Sequence, residues 1–373
     1  MKTSPAQTKP RPFVSLIMPV RNEAAFIARG LSAVMAQDYP PERMEVIVVD
    51  GMSDDGTREV VRSFAEHHTN LRLLDNPGRI VSTGLNLALR QVAGEVIIRV
   101  DGHCEIAEDY VSRSVQCLEE EEADGVGGPI ETIGDSRVAR AIALAMSSRF
   151  GVGGSAFRTV KDRRMYVETV AFPAYTRRAI ERAGLFDEEL VRNQDDEYNY
   201  RLCKLGGRLL LVPEIRSRYY SRSSFRSLWR QYFQYGYWKV RVMQKHPRQM
   251  RLRQFAPPLF VLALIVALTV APFSALGALA LTLLLALYTL ANFAASVLSL
   301  RNEEAGLLPL LLLAHPTLHL SYGAGFLVGL ARFWNRWAAV RSPASDGANA
   351  ERETVKQLGV PAKERSLVNE SAE

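Results

Sequence analysis

The sequence predicts an α/β domain with a mainly parallel sheet, followed by interfacial helices and C-terminal transmembrane helices. Three observations lead to this prediction. Short apolar segments alternate with helix-length segments from residue 13 to about residue 130, a pattern typical of a parallel sheet covered by helices. A segment rich in arginine and aromatic residues follows, and two long stretches without any charged side chain come after it.

The predicted strands and helices of the first domain follow one another in regular order. Strands are predicted at residues 13–20, 44–50, 71–74 and 95–101, with a weaker one around Val126. Helices are predicted at residues 24–37, 55–67, 80–92 and 107–122. Residues 131–215 are less regular: a Gly-rich flexible loop at 151–155, a helix ending at Leu205 and a buried strand at 209–212 are predicted there. Ligands of such sheets bind at the carboxyl ends of strands, so polar residues there are the first candidates for a site.

The basic charge of the chain is concentrated before the first uncharged stretch. Residues 201–253 contain fourteen Lys and Arg against one acid, Glu214. Nine aromatic residues between Tyr219 and Trp238 alternate with arginines, which predicts an amphipathic helix in the lipid headgroup region. The alternative is a core-facing helix with a solvated basic side. No nucleic-acid-binding motif accompanies the charge, so nucleic acid is not expected as a partner.

Residues 257–300 and 305–331 contain no Asp, Glu, Lys or Arg. The first stretch would be about 66 Å long as one helix, which predicts a hairpin of two spans bent near residues 272–274. The second, interrupted by His315, Pro316 and His319, is a third span or a re-entrant or surface segment. A third span would place the arginines that follow it outside, against the positive-inside rule; these are Arg332, Arg336 and Arg341.

The remaining features concern location and boundaries. The N-terminus lacks a signal peptide, and three dispersed cysteines indicate neither a disulfide framework nor a zinc site. We therefore expect the hydrophilic part on the cytoplasmic face of the inner membrane. The predicted division is an N-terminal arm (1–12), a catalytic domain (13–215), basic interfacial helices (216–254), a hydrophobic region (255–335) and a polar, disordered tail (336–373).

Polar clusters follow three of the predicted strands, at the edge where parallel strands end. Asp101 and His103 are two residues apart and point to one side, so they could share a divalent cation with water and a diphosphate, although turn residues are the simpler interpretation. Asp195, ahead of a predicted helix, could serve as a general base or simply stabilise the helix start. Neither a dinucleotide-binding GxGxxG nor a P-loop is present.

The order of motifs resembles glycosyltransferase family 2, and more narrowly its ExoA-like branch of membrane-anchored glucosyltransferases for succinoglycan-type exopolysaccharides. The resemblance covers roughly residues 13–245. The motifs are PVRNE (19–23), VVDGMSDDGT (48–57), DNPGRIVSTGLNLAL (75–89), GEVIIRVDGHCE (94–105) and NQDDEYNYRL (193–202).

The resemblance implies a GT-A fold and a role for each motif. The nucleotide-binding positions implied are Pro19, Arg21, Asn22, Glu23, Asp50, Asp54 and Arg79. The family's DxD motif corresponds to Asp101 and His103, which implies Mn²⁺ or Mg²⁺, with imidazole favouring Mn²⁺. Asp195 is the implied catalytic base. The diphosphate- or acceptor-contacting segment corresponds loosely to Arg230, Gln231 and Trp238, without a clean QxxRW.

The function implied is inverting transfer of a hexose, such as glucose, from a UDP-sugar to a hydroxyl of a polyprenyl-linked saccharide at the membrane. A polyprenyl-phosphate glycosyltransferase and a non-catalytic nucleotide-sugar-sensing scaffold are the alternatives. A processive polysaccharide synthase is disfavoured by the missing QxxRW and the small number of spans.

Overall fold

The computed structural model describes residues 10–301 and 303–337. The predicted arm before residue 10 and the predicted tail from residue 338 lie outside the described residues. The strands in the described part are β1 (Val14–Val20), β2 (Met44–Asp50), β3 (Leu71–Asp75), β4 (Val96–Arg99), β5 (Cys104–Ile106), β6 (Gly125–Gly127), β7 (Ile130–Ile133), β8 (Met165–Val167), β9 (Ala174–Thr176), β10 (Leu209–Leu211) and β11 (Ser217–Tyr220). The α-helices there are α1 (Ile27–Met35), α2 (Thr57–His67), α3 (Val81–Leu89), α4 (Tyr110–Glu120), α5 (Arg137–Ser147), α6 (Arg149–Val152), α7 (Ala156–Thr159), α8 (Arg177–Ala183), α9 (Gln194–Lys204), α10 (Phe225–Lys245), α11 (Leu252–Val270), α12 (Ala275–Ser299) and α13 (Leu308–Arg332).

The main sheet has the order β3-β2-β1-β4-β9-β6-β10-β8 within the described residues. β1 pairs in parallel with β2 and β4, and β2 pairs in parallel with β3. β9 is antiparallel to β4 and β6, and β8 is antiparallel to β10. The predicted mainly parallel sheet is confirmed. Its antiparallel strands come from residues 131–215, where the apolar pattern is too irregular to reveal them.

The two faces of the sheet are covered because successive side chains of a strand point to opposite sides. Leu16 and Met18 of β1 lie in one buried cluster, which includes Val46 and Val48 of β2. Ile17 lies in a second cluster with Ile47, Leu85 and Leu202. Helices α3, α8 and α9 cover this second face, and α9 carries the predicted base. Burial of the sheet therefore fixes the position of α9 beside the ends of β1 and β4.

A second sheet, with the order β5-β11-β7, lies in the described part of the chain. β11 is antiparallel to β5 and parallel to β7. Tyr219 and Tyr220 belong to this strand, so the prediction of a single helix from Tyr219 is wrong at its start. The helix instead begins at Phe225, where the Ser224 hydroxyl caps it by accepting a hydrogen bond from Ser227 N.

Helix α10 packs closely against α13. A Cβ atom at Gly236 would overlap the backbone carbonyl of Tyr322, and one at Gly325 would overlap that of Phe233. These glycines therefore allow the two backbones to touch. The C-terminal half of α10 is buried, so it faces the core as the alternative states, but its basic residues Lys239 and Arg241 are buried too and not solvated.

Three helical segments in the described part are long and apolar enough to cross a membrane: Leu252–Phe273, Ala275–Ser299 and Ala305–Arg332. The predicted bend near residues 272–274 is confirmed, since a 3-10 turn at Ala271–Phe273 separates α11 from α12. The expected interruption of the third segment is wrong, because α13 continues through Pro316. Only 11% and 6% of the most apolar windows of the first two segments are buried, against 44% for the third.

Candidate active site

A cavity of about 1200 Å³ lies at the edge of the main sheet where β1 and β4 end. The predicted site residues that line it are Pro19, Arg21, Asn22, Glu23, Arg79, Asp101, His103, Asp195, Arg230 and Gln231. The structure thus brings residues of all five motifs together with the arginine-rich helix. Asp50, Asp54 and Trp238 are not among the residues that line this cavity.

Asp50 and Asp54 are outside the cavity lining and help to hold the loop after β1. The buried Asp50 carboxylate pairs with Arg58 at 2.7 Å and accepts a hydrogen bond from Ser53 N at 2.9 Å. The Ser53 hydroxyl in turn accepts from Asn22 N at 2.9 Å, and Asp54 N donates to the Asn22 side chain at 3.1 Å. These bonds hold Asn22 at φ +55°, a conformation that non-glycine residues adopt only when their surroundings enforce it.

Glu23 contacts His103 directly. Its Oε1 atom lies 2.9 Å from His103 Nδ1. An ionised carboxylate only accepts hydrogen bonds, so in the neutral imidazole Nδ1 carries the proton and Nε2 the lone pair. No described residue makes a hydrogen bond to Nε2. A carboxylate behind an imidazole is the arrangement that orients metal-binding histidines and raises their basicity.

Asp101 and His103 together suit a divalent cation by their chemistry. One oxygen of Asp101 is engaged by Arg99 at 2.7 Å, and its second oxygen has no hydrogen-bond partner among the described residues. One carboxylate oxygen and one imidazole nitrogen therefore remain available as ligands on a single turn. The described residues contain no group of three His, Cys, Asp or Glu that could hold a metal alone. A cation here would take its other ligands from water and from a bound diphosphate.

Arg99 links the two sets of acidic residues. It is the last residue of β4, is 7% exposed, and pairs with Asp101 at 2.7 Å and with Asp195 at 3.4 Å. Burial alone would lower the pKa of Arg99, but the charges of Asp101 and Asp195 raise it above its ordinary value. Arg99 is absent from the predicted site, although an arginine two residues before Asp101 in an otherwise apolar strand was a visible signal.

The three consecutive acids at the start of α9 have different surroundings. Asp195 is half-exposed towards the cavity, Asp196 pairs with Lys239 of α10, and Glu197 is buried against Arg201 and His246. Burial would raise the pKa of Glu197, but the His246 hydrogen bond and the Arg201 charge lower it to about 2. Asp195 is therefore the acid of this run that faces both Arg99 and the cavity.

The cavity also extends to the apolar helices, where no site residues were predicted. Its far end is lined by residues of the apolar helices α11, α12 and α13, such as Phe260, Tyr288 and Leu318. The loop predicted as flexible at 151–155 overlaps the end of the short helix α6, and residues 149–153 line the cavity too. One continuous space therefore connects the sheet edge with the apolar helices.

Comparison with known proteins identifies similar chains. The family model for glycosyl transferase family 2 matches residues 15–185. The chain is 31% identical over 333 residues to succinoglycan biosynthesis protein ExoA of Rhizobium meliloti (strain 1021), covering 87% of this chain and 96% of that protein. It is 30% identical over 241 residues to the dolichyl N-acetyl-alpha-D-glucosaminyl phosphate 3-beta-D-2,3-diacetamido-2,3-dideoxy-beta-D-glucuronosyltransferase of Methanococcus voltae, covering 62% and 74%.

A solved structure has a similar fold. Mannosyltransferase PcManGT from Pyrobaculum calidifontis, in complex with GDP-Man and Mn²⁺, superimposes with a TM-score of 0.54 at 21% identity. The match covers 86% of this chain and 87% of that one. The arrangement of elements described above is therefore a GT-A fold followed by apolar helices.

The buried pairing of Glu197 predicts a pH-dependent stability. Its pKa falls from 4.5 to about 2 on folding, which corresponds to on the order of 3 kcal/mol. We expect this stabilisation to be complete above pH 4.5 and to be lost as the pH falls through 2, where the folded-state carboxylate is protonated. Glu197→Gln should therefore lower the free energy of unfolding at pH 7 and remove this part of the acid sensitivity.

Urea unfolding of the full chain in detergent micelles, followed by tryptophan fluorescence between pH 7 and pH 3, measures this effect. The exposed Glu66→Gln substitution is the matched control and should leave the unfolding curve unchanged. An equal loss of stability for wild type and Glu197→Gln between pH 5 and pH 3 would contradict the assigned cause.

Proposed function

The chain belongs to glycosyltransferase family 2, and from this premise we propose that it is a membrane-anchored, metal-dependent, inverting hexosyltransferase. The proposed donor is a UDP-sugar, with glucose as the first candidate, and the proposed acceptor is a hydroxyl of a lipid-linked saccharide in exopolysaccharide or cell-surface glycan synthesis. The observation that carries the proposal is the placement of Asp195 and of the Asp101/His103 pair on either side of Arg99.

Asp195 acts as the general base in this proposal. The acceptor hydroxyl gives its proton to Asp195 while its oxygen attacks the anomeric carbon, and the bond from that carbon to the nucleoside diphosphate breaks. A single displacement from the opposite face inverts the anomeric configuration. Asp195 is suited to this role because its carboxylate faces the cavity and is oriented by Arg99 at 3.4 Å.

Asp101 and His103 would hold Mn²⁺ or Mg²⁺. Such an ion would neutralise charge that develops on the departing diphosphate. Glu23 orients His103, and Arg99 fixes Asp101, so each candidate ligand has its own support within the chain. Manganese is favoured by the imidazole, and the similarly folded PcManGT was solved with Mn²⁺.

The lipid-linked acceptor is supported by the surroundings of the cavity. The far end of the cavity lies among the apolar helices, so the sugar of a lipid-linked acceptor could reach Asp195 through the cavity. The relatives agree in kind: ExoA is named for succinoglycan biosynthesis, and the M. voltae relative for a dolichyl-linked sugar phosphate.

The contacts of α13 support a particular membrane topology. This helix and the turn before it are held to the rest of the protein: Arg137 donates to Gly306 O at 2.8 Å, His315 contacts Ser148 at 3.2 Å, and Gly329 packs on Tyr237 of α10. A helix that leaves the domain to cross a bilayer could not keep these contacts. We infer that α11 and α12 span the inner membrane and that α13 lies on the cytoplasmic side with the catalytic domain, as the positive-inside rule favours.

Replacement of the proposed base should strongly slow sugar transfer and leave donor binding unchanged. Asp195→Asn keeps the size of the side chain and removes the proton acceptor, so we expect kcat to fall by about 10²- to 10⁴-fold. The assay measures transfer of radiolabelled sugar from UDP-sugars to lipids extracted from the producing membrane, with product mass determined. The matched control is Asp162→Asn, which changes an exposed carboxylate outside the cavity. Retention of wild-type kcat by folded Asp195→Asn would exclude this base.

The support of His103 by Glu23 should be visible in metal affinity. Glu23→Gln leaves both candidate ligands in place but removes the charge behind the imidazole, so we expect Mn²⁺ to bind about 10- to 100-fold more weakly. Electron paramagnetic resonance of free Mn²⁺, titrated with the full chain in the presence of UDP, measures the dissociation constant. Glu66→Gln serves as the control, and an unchanged dissociation constant for Glu23→Gln would contradict the assignment.

The topology can be tested by cysteine labelling in spheroplasts. Phe273→Cys, Ala305→Cys and Ala331→Cys are placed one at a time in a Cys203→Ser background, since Cys104 and Cys117 are buried. We expect a membrane-impermeant thiol reagent to label position 273 in intact spheroplasts and positions 305 and 331 only after lysis. Labelling of position 331 from outside would establish a third span, and protection of position 273 would exclude the two-span hairpin.

A further inference from the structure

We propose that the cavity contains a second anion-binding site, which holds the phosphate between the lipid and the sugar of the acceptor. The site consists of an arginine cluster (Arg149, Arg158 and Arg253) and an adjoining aromatic cleft (Phe150, Phe260, Tyr288 and His319). The ligand is a polyisoprenyl diphosphate, whose diphosphate binds the cluster while the first units of its chain enter the cleft. This inference rests on the proposed function and specifies its acceptor.

The first argument is the excess of positive charge in the cavity. Eight arginines line it without a carboxylate partner among the described residues, and Arg99 and Lys239 line it with their partners. The eight are Arg21, Arg79, Arg149, Arg158, Arg192, Arg222, Arg230 and Arg253. A donor diphosphate supplies about two negative charges. A cleft lined by charges of one sign concentrates ions of the opposite sign, so the excess indicates a second anionic group.

The second argument is the location of the arginine cluster. Arg253 is at the start of α11 and donates to Gly154 O at 3.1 Å, which joins it to the loop that carries Arg149. Arg158 lies over the Tyr219 ring at 5.7 Å, and that ring is 5.0 Å from His103. These contacts place Arg158 beside the proposed metal ligands and Arg253 at the start of the first apolar helix, and Arg149 lines the same cavity.

The third argument is the aromatic cleft beside the cluster. Phe150 follows Arg149 directly, and its ring lies 4.9 Å from His319 and 6.1 Å from Tyr288. Tyr288 in turn stacks on Phe260 at 4.5 Å. His319 also contacts Phe150 O and the Tyr288 hydroxyl, each at 2.9 Å, so the loop and the apolar helices form one unit. All four residues line the cavity.

Together these features favour a phosphorylated lipid over a neutral one. A diacylglycerol anchor would fill the aromatic cleft but leave the guanidinium groups without a counter-charge. A free nucleotide would satisfy the charge but leave the aromatic rings exposed to water. A diphosphate next to an apolar chain satisfies both parts, because guanidinium groups bind phosphate oxygens in a bidentate manner.

Direct binding of farnesyl diphosphate to the full chain in detergent micelles tests the site. Saturating UDP is present throughout, so that the probe does not occupy the donor site. We expect the double variant Arg149→Ala/Arg253→Ala to bind the probe at least tenfold more weakly than wild type. Both side chains are largely exposed, and UDP binding by the variant confirms that it is folded. The matched control Arg248→Ala removes an exposed arginine close in sequence that does not line the cavity, and it should bind as wild type does.

A second variant and two further probes separate the parts of the site. Phe260→Ala should weaken farnesyl diphosphate binding several-fold without affecting UDP binding. Farnesol and inorganic diphosphate, which each carry half of the ligand, should bind at least tenfold more weakly than farnesyl diphosphate. Wild-type affinity in the double variant, or inorganic diphosphate binding as tightly as the lipid, would overturn the proposal. Failure of wild type to bind UDP would instead contradict the proposed donor, which keeps the two failures distinguishable.

Discussion

The candidate site depends on a single buried cation at the end of a central strand. Arg99 lies between Asp101 and Asp195 and holds together groups that come from β4 and from α9. Without this charge, two carboxylates would face each other across the edge of the sheet and repel. The arrangement is possible because β4 is central and apolar, so the guanidinium is buried and its two partners are fixed. The metal-binding and proton-accepting roles proposed here therefore share one support, and neither side chain can move without affecting the other.

Ion pairs of the neighbouring acids explain why Asp195, and not one of them, is the candidate base. Glu197 pairs with Arg201 of its own helix. Asp196 pairs with Lys239 and Glu189 pairs with Arg241, both cations of α10. The burial of α10 against α13 fixes these cations, since the glycine contacts leave no room for the helices to slide. Helix α13, helix α10 and the helix that carries the proposed base are thus packed against one another in series. Through these contacts, the position of α13 affects the position of Asp195.

The sequence predicted the strands, helices and site residues whose pattern is visible in a short segment of the chain. β2 matches its predicted range, and the ends of β1 and β4 carry the polar residues that the motifs indicated. Helices α1 and α3 are shorter than predicted because flanking residues form caps and turns. Strand β11 could not be predicted, because Tyr219 pairs with residues more than 80 positions away in β5 and β7. The role of Arg99 was missed for a similar reason: its significance depends on Asp195, which approaches only in the folded chain.

The positive charges of the basic segment before the apolar helices make other contacts in the folded protein than the sequence predicted. From sequence, its charge indicated contact with lipid headgroups. In the structure Lys239, Arg241 and Lys245 are paired with acids of residues 187–196, so their charge is already compensated. Arg222, Arg230 and Arg253, by contrast, line the cavity without a carboxylate partner among the described residues. The unpaired charge of these arginines thus lies at the cavity, where the proposed phosphate-carrying substrates would bind. A positive cavity beside apolar helices would attract both a nucleotide sugar from water and a phosphorylated lipid from a bilayer, as the proposed transfer between these two phases requires.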